Sequence, residues 1–266
     1  MNLSLRPTKK ILVRFVIFVG ISIVVGSIIF VIWANSTYKA DPEKLKTARD
    51  ETINNITIIE NSSYWEIIPK PTPEPCLNFC TTYLRTNSDS SGLIFYPGAK
   101  IDPRAYFYKL SDLSNGRVGK MRIFITKPTL NLAVFSINQA DEIITANPNI
   151  AQWTIGGHSL GGAMSCEYAK NHTDKINSLY LISAYCANDI SKTNIQVTSI
   201  HGSLDPMATP EKIQSYRRNL PNSAKDYEIQ GMNHSQAGNY GKQDGDNEPT
   251  KADEEVKIEM MKIIST

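Results

Sequence analysis

Residues 155–163 read Ile155-Gly156-Gly157-His158-Ser159-Leu160-Gly161-Gly162-Ala163, and they set the pattern Gly157-x-Ser159-x-Gly161 between two runs of opposite character. Gln152-Trp153-Thr154-Ile155 in front is a short buried-strand sequence, and Ala163-Met164-Ser165-Cys166-Glu167-Tyr168-Ala169-Lys170 behind is helix-forming. A serine on so sharp a strand-to-helix turn is held in a strained backbone conformation with its hydroxyl projecting upward. Strand and helix backbones approach closely there, which is why Gly157 and Gly161 flank it. The helix N-terminus also aims backbone N–H groups at any negative charge forming beside Ser159. GxSxG alone is often a plain Gly/Ser turn. The strand, the helix and the extra glycines favour Ser159 as a nucleophile with His158 in the elbow, and its partners must be sought elsewhere.

Reading outward, the chain alternates strand and helix. Thr52–Ile59 and Tyr64–Ile68 are β-rich runs parted by Asn61-Ser62-Ser63 and predict an antiparallel hairpin. Pro69, Pro71, Pro73 and Pro75 then force an extended connection, and residues 76–91 read as a partly ordered insertion. Strands are expected at 92–96, 121–125, 152–155, 178–182, 196–200 and 226–229. Helices are expected from Asp102-Pro103 toward Leu113, over 132–146, after the elbow, over 211–220 and over 251–264. A hairpin followed by such alternation means an α/β domain with a mainly parallel sheet and helices on both faces. In such sheets the functional loops lie at the carboxyl ends of the strands.

A serine hydroxyl needs a base, and the base an orienting acid. Of the four histidines, His158 sits inside the elbow, directed away from the site; His172 ends the following helix and His201 ends a strand. His234, in Gly231-Met232-Asn233-His234-Ser235, follows the last strand and is the candidate base. Asp205, in Gly202-Ser203-Leu204-Asp205-Pro206, is the candidate acid; Asp189 is the alternative. Asp205 gives the chain order Ser, Asp, His, each after a successive strand. An oxyanion hole needs two backbone N–H donors. Leu160 supplies one, and Ala99, in the turn Tyr96-Pro97-Gly98-Ala99, the other. No cofactor and no metal ion are expected.

The formal net charge of +2 hides an asymmetry. Arg6, Lys9, Lys10 and Arg14 lie in the N-terminal tail, and the other 24 basic residues face 26 acidic ones. The folded part has no basic stripe of the kind nucleic acid demands, so nucleic acid is not an expected partner. Phe15 to Ala34 is uncharged and apolar, and twenty helical residues span roughly 30 Å, a bilayer core. A cleaved signal peptide normally has a shorter apolar run of about 7–15 residues ending in small residues at alternate positions. Here Ile32 occupies the position three before a cut after Ala34, so the segment reads as an uncleaved single-pass anchor. The expected divisions are a basic tail over 1–14, an anchor over 15–36, a stalk over 37–52 and a catalytic domain over 53–266. Flanking Lys and Arg tie in number across the anchor, but the front cluster is nearer and favours the N-terminus inside. Cys76-x-x-x-Cys80 could form a local disulfide, and sequons occur at Asn35, Asn55, Asn61 and Asn171. Both agree with a catalytic domain outside the cell membrane.

With these residues in place, the chain from Gly92 to Gly245 resembles the α/β-hydrolase superfamily. More narrowly it resembles the bacterial membrane-anchored alpha/beta hydrolase family 5, related to dienelactone hydrolases. The stretches that carry the resemblance are 92–106, 130–135, 155–164, Gly202–Asp205, Thr209–Lys212, and Asn233-His234 through Gly241. The resemblance implies a Ser159–Asp205–His234 triad with Ala99 and Leu160 as oxyanion donors. Dienelactone hydrolases proper use cysteine as nucleophile, so their substrate does not carry over. The span from Ile182 to Ile195 is too short for a large lid, which leaves an open site, with Leu130, Gln236, Asn239 and Tyr240 as candidate lining. The activity expected is serine-dependent hydrolysis of a small acyl substrate, most simply a carboxylic ester. A peptidase, thioesterase or haloperoxidase-like activity uses the same constellation, and a membrane-displayed binding protein on a silent fold is the reading from a different class.

Overall fold

A computed structural model of the chain describes residues 9–50, 55–70, 91–115 and 120–265. It divides into two compact units, the first ending at Ser36 and the second beginning at Thr37. The first is a helix, α1 (Lys9–Asn35), whose 22-residue stretch Arg14–Asn35 is long and apolar enough to cross a membrane. Its large apolar side chains are exposed, Phe18 at 68% and Ile32 at 66%, unlike those of a core helix.

The second unit is built on one eight-stranded sheet in the order β1-β2-β4-β3-β5-β6-β7-β8. The strands are β1 (Ile56–Glu60), β2 (Tyr64–Pro69), β3 (Ser91–Tyr96), β4 (Arg122–Thr126), β5 (Gln152–His158), β6 (Ile176–Ile182), β7 (Gln196–Gly202) and β8 (Lys225–Ile229). The hairpin β1–β2 is antiparallel, with Ile58 opposite Ile67, and β2 pairs antiparallel with β4. All pairings from β4 through β3 to β8 are parallel.

A parallel sheet must be covered on both faces, so its strands are apolar on both. Along β3 the alternation is visible. Leu93 and Phe95 join one core layer with Phe107, Val256 and Met260, while Ile94 and Tyr96 join the other with Ile143, Ile155 and Cys166. The helices of the first face are α2 (Pro42–Arg49), α3 (Phe107–Leu110) and α7 (Asp253–Ile264); those of the second are α4 (Gln139–Ala146) and α5 (Leu160–Asn171). Helix α6 (Pro210–Tyr216) follows β7.

Three expectations change. The segment expected as a stalk belongs to the second unit: α2 is capped by Asp41, Ala48 is fully buried, and Leu45 packs on the core. Residues 132–146 are not one helix, because a 3-10 turn over Ala133–Phe135 precedes α4, and the helix from Pro103 is α only over Phe107–Leu110. Cys76 and Cys80 lie outside the described residues. The other two cysteines, Cys166 on α5 and Cys186 after β6, form a disulfide with Cα atoms 5.6 Å apart. Both sulfurs lie in core positions, which is where a sequence reading assumes packing rather than a bond.

Candidate active site

The elbow is strained as its sequence requires. Ser159 has φ 52° and ψ −123°, a conformation that a side chain with a Cβ rarely adopts and that costs on the order of 1–3 kcal/mol. It is held from both sides: Ser159 N–H donates to the Ile182 carbonyl at 3.1 Å, and the Ala163 N–H donates to the Ser159 carbonyl at 3.1 Å. Gly161 packs against β3 so closely that a Cβ there would overlap the Tyr96 and Pro97 carbonyl oxygens. Ser165 Oγ donates to the Gly156 carbonyl at 2.7 Å and fastens α5 to the strand beneath it.

Asp205 lies on the loop after β7 and His234 on the loop after β8, and the sheet brings them together. Asp205 Oδ2 accepts from His234 Nδ1 at 2.8 Å, with both residues almost fully buried. Asp205 Oδ1 accepts from the backbone N–H groups of Met207 at 2.9 Å and Ala208 at 2.8 Å. Burial pushes the Asp205 carboxyl up, but the bond from His234 and these amides outweigh it, and the group lies below its ordinary value. It is therefore a carboxylate that can hold only the Nδ1–H tautomer of His234. His234 Nε2 is buried and makes no hydrogen bond among the described residues. Ser159 Oγ makes none among the described residues either, so no hydrogen bond joins Ser159 to His234 here. Asp189, the alternative acid, is exposed and accepts from the Ser191 N–H at 2.9 Å in its own surface turn, with no bond to His234 among the described residues.

His158 is not turned away from the site. Its fully buried ring lies 4.6 Å from the His234 ring, and its Nδ1 is 2.9 Å from Tyr106 Oη. Tyr106 Oη accepts from the Gly98 N–H at 3.0 Å, so its own proton points to His158 Nδ1. Burial first, and then the neighbouring His234, hold His158 well below its ordinary pKa, and it stays neutral. The other two histidines are structural. His172 stacks on Tyr168 with ring centroids 4.0 Å apart, and His201 lies on β7 between Asp226 and Glu228.

Of the two candidate oxyanion donors, Ala99 lies in the turn after β3 and Leu160 is the first residue of α5. The Ala99 and Leu160 N–H groups donate to no group among the described residues. Bonds on either side fix the Ala99 turn: Gly98 to Tyr106 Oη, and the Lys100 N–H to the Asn131 carbonyl at 2.8 Å. Leu130 and Asn131 both have positive φ, 55° and 54°, so the loop after β4 is itself strained beside that turn. Gln236, a candidate lining residue, is held by its neighbours. Its side chain accepts from the Asn233 N–H and donates to the Lys251 carbonyl, and it faces a cavity of about 460 Å³ whose lining excludes Ser159, Asp205 and His234. Asn239 lines that same cavity, with its amide on Asp253. Tyr240 stays near, its ring 6.3 Å from that of His158.

Asp246 was missing from the sequence reading. Its two carboxylate oxygens accept from the backbone N–H groups of His234 at 3.2 Å and Ser235 at 2.8 Å, fixing the loop that carries the base. Asp244-Gly245-Asp246 is an ordinary turn sequence, so only three-dimensional proximity marks it. No cluster of three or more His, Cys, Asp or Glu able to hold a metal ion is found among the described residues.

A largely parallel sheet, a strained serine at its central strand-to-helix turn, and an acid–histidine pair on the last two strand loops define the hydrolase class of α/β folds. The comparisons agree: the family model for the alpha/beta hydrolase family matches residues 92–258, and the chain belongs to that family. Among solved structures, Est1E from Butyrivibrio proteoclasticus superposes with a TM-score of 0.51 at 13% identity, covering 80% of this chain and 100% of that one. A predicted CIB-like hydrolase from Thermoplasma acidophilum gives 0.52 at 11% identity, covering 79% and 97%. MGS-MChE2, an alpha/beta hydrolase from the metagenome of lagoon sediments of Mar Chica, Morocco, gives 0.51 at 13%, covering 67% and 90%. At these identities the likeness is one of fold. Among curated proteins none matches the sequence.

Proposed function

We propose that this chain is a membrane-anchored serine hydrolase that cleaves a small carboxylic ester through an acyl-enzyme on Ser159. The observation that carries the reading is the 2.8 Å bond from His234 Nδ1 to a buried Asp205, which leaves Nε2 free as base. Ser159 Oγ attacks the carbonyl carbon while His234 Nε2 takes its proton. The oxyanion is met by the Ala99 and Leu160 N–H groups; losing one such donor costs on the order of 10²–10³ in rate. The proton passes to the leaving alkoxide, and water deprotonated by the same nitrogen then cleaves the acyl-enzyme. Residues 183–195 contain no helix, so this connection builds no helical lid.

Peptide and thioester substrates would use the same groups, and a panel of esters, thioesters and peptides on the full-length protein ranks them. The silent-binder reading is tested by a fluorophosphonate probe. Labelling of wild type and its loss in Ser159→Ala supports the hydrolase, whereas an unlabelled wild type refutes it.

The anchor over 15–36 places the catalytic unit on one side of a membrane. A disulfide between Cys166 and Cys186 supports the oxidising, extracytoplasmic side, since such bonds are rare in reducing compartments.

A further inference from the structure

Five residues, Thr37 to Asp41, lie between Ser36 and α2 and take no part in the chemistry proposed above. Thr37 to Asp41 form no helix or strand, yet their backbone is bonded to both loops that the chemistry needs. The Tyr38 N–H donates to the Lys100 carbonyl at 2.8 Å, and the Asp102 N–H donates to the Tyr38 carbonyl at 2.9 Å. Together they make a single parallel bridge between Tyr38 and Ile101, just beyond Ala99. On the other side, the Asp41 N–H donates to the Asn239 carbonyl at 2.8 Å, on the loop that carries His234. The Tyr38 side chain reaches the same loop: its ring centroid is 5.9 Å from that of Tyr240, and its Oη accepts from the Asp244 N–H at 3.2 Å.

Lys100 shows what this hold is for. Its φ of 60° is a left-handed conformation that costs a lysine on the order of 1–2 kcal/mol. Such strain persists only where the surroundings over-determine it. Here the Lys100 N–H is tied to Asn131 and its carbonyl to Tyr38. Releasing the carbonyl lets the peptide after Ala99 turn toward an ordinary conformation and carries the Ala99 N–H with it. An oxyanion donor works only at hydrogen-bond distance from where the charge will form, and a misplacement of about 1 Å can cost about 10² in rate.

We propose that Thr37–Asp41 is a positioning strap for the active site, and that Tyr38 is a positioning residue that holds the oxyanion turn and the histidine loop in register. The proposal rests on the reading of Ser159, Asp205 and His234 given above. In consequence, the stretch directly after the membrane segment is part of what makes the enzyme active, and a soluble form cut at Pro42 loses more than its anchor.

The test uses the full-length protein in detergent micelles, with a short-chain ester as substrate and kcat counted per fluorophosphonate-titrated site. Tyr38→Ala removes the ring contact and the Oη acceptor, and Tyr38→Pro also removes the N–H that Lys100 accepts. Both are expected to lower kcat by about tenfold or more and to slow fluorophosphonate labelling in parallel, with KM changed less than about twofold. Four Gly/Ser residues inserted between Ser36 and Thr37 leave kcat unchanged, since they lengthen the connection without touching the strap. If Tyr38→Pro fails to fold, Tyr38→Ala decides. Wild-type kcat per titrated site in Tyr38→Ala, with only a lower Tm, overturns the strap. An equal loss on the Gly/Ser insertion also overturns it, because proximity to the membrane would then be the cause. Failure of the underlying reading looks different: Ser159→Ala would keep hydrolysing the ester.

Discussion

At the residue scale, the pair Asp205–His234 concentrates two demands on one carboxylate. One oxygen fixes the imidazole tautomer while the other caps a backbone turn through Met207 and Ala208. Asp205→Asn keeps the shape but can present an amide N–H to Nδ1, which favours the wrong tautomer. Ester turnover is expected to fall by on the order of 10⁴ in kcat, measured against a wild type of equal Tm. A variant within tenfold of wild type would remove Asp205 from the reaction. His158 makes a separate prediction, about stability. Its folded pKa lies well below the ordinary histidine value of about 6.5, so below pH 6.5 the unfolded chain binds a proton that the folded chain refuses. Stability from this group is complete above 6.5 and is lost as pH falls from there toward the folded value. Asp205, whose pKa is also lowered, starts to add its loss only as pH falls to its unfolded value of about 3.8, well below the pH at which His158 begins. Thermal unfolding from pH 8 to 5 should show Tm falling below 6.5 in wild type and a flatter profile in His158→Gln. Identical slopes would contradict the assignment.

At the scale of elements, the strands were legible because burial on two faces writes continuous apolar runs, as in Leu93–Tyr96 and Ile123–Ile125. Ser159 was legible because a strained turn needs small neighbours in a fixed spacing. Asp205 and His234 were legible by their place after successive strands. Contacts formed only by folding left no local trace. Tyr106 to His158, Asp246 to the His234 backbone and Tyr38 to Lys100 each join residues whose own sequence reads as helix, turn or linker. The bonds of the Gln236 amide to Asn233 and Lys251 left no trace for the same reason. The disulfide was hidden because cysteine in an apolar helix is indistinguishable from core. It ties α5, the helix behind the nucleophile, to the loop after β6 across 20 residues. Closing a loop of that length stabilises a fold by about 3 kcal/mol in the chain-entropy account. Replacing both cysteines by serine should therefore lower Tm by roughly 6–12 °C in a unit of this size. An unchanged Tm, with equal thiol counts before and after reduction, would mean that the bond does not form.

At the scale of the whole molecule, chemistry and location constrain one another. The Lys and Arg residues on either side of the apolar run Phe15–Ala34 tie in number, so charge alone leaves orientation to the nearness of Lys9, Lys10 and Arg14. The disulfide is an independent constraint, because thiols at Cys166 and Cys186 would remain reduced against a cytosolic glutathione pool. Nothing in the proposed reaction needs a cytosolic cofactor, since water and an acyl ester suffice for the triad, so function does not oppose export. The prediction is that protease added to intact cells, or to spheroplasts where an outer layer blocks access, digests the catalytic unit while a cytosolic marker survives. In parallel, non-reducing extraction with a bulky maleimide should leave Cys166 and Cys186 unmodified until a reductant is added. Protection of the unit from protease together with immediate maleimide modification would place it in the cytoplasm. The search for its substrate would then turn from extracellular esters to intracellular ones.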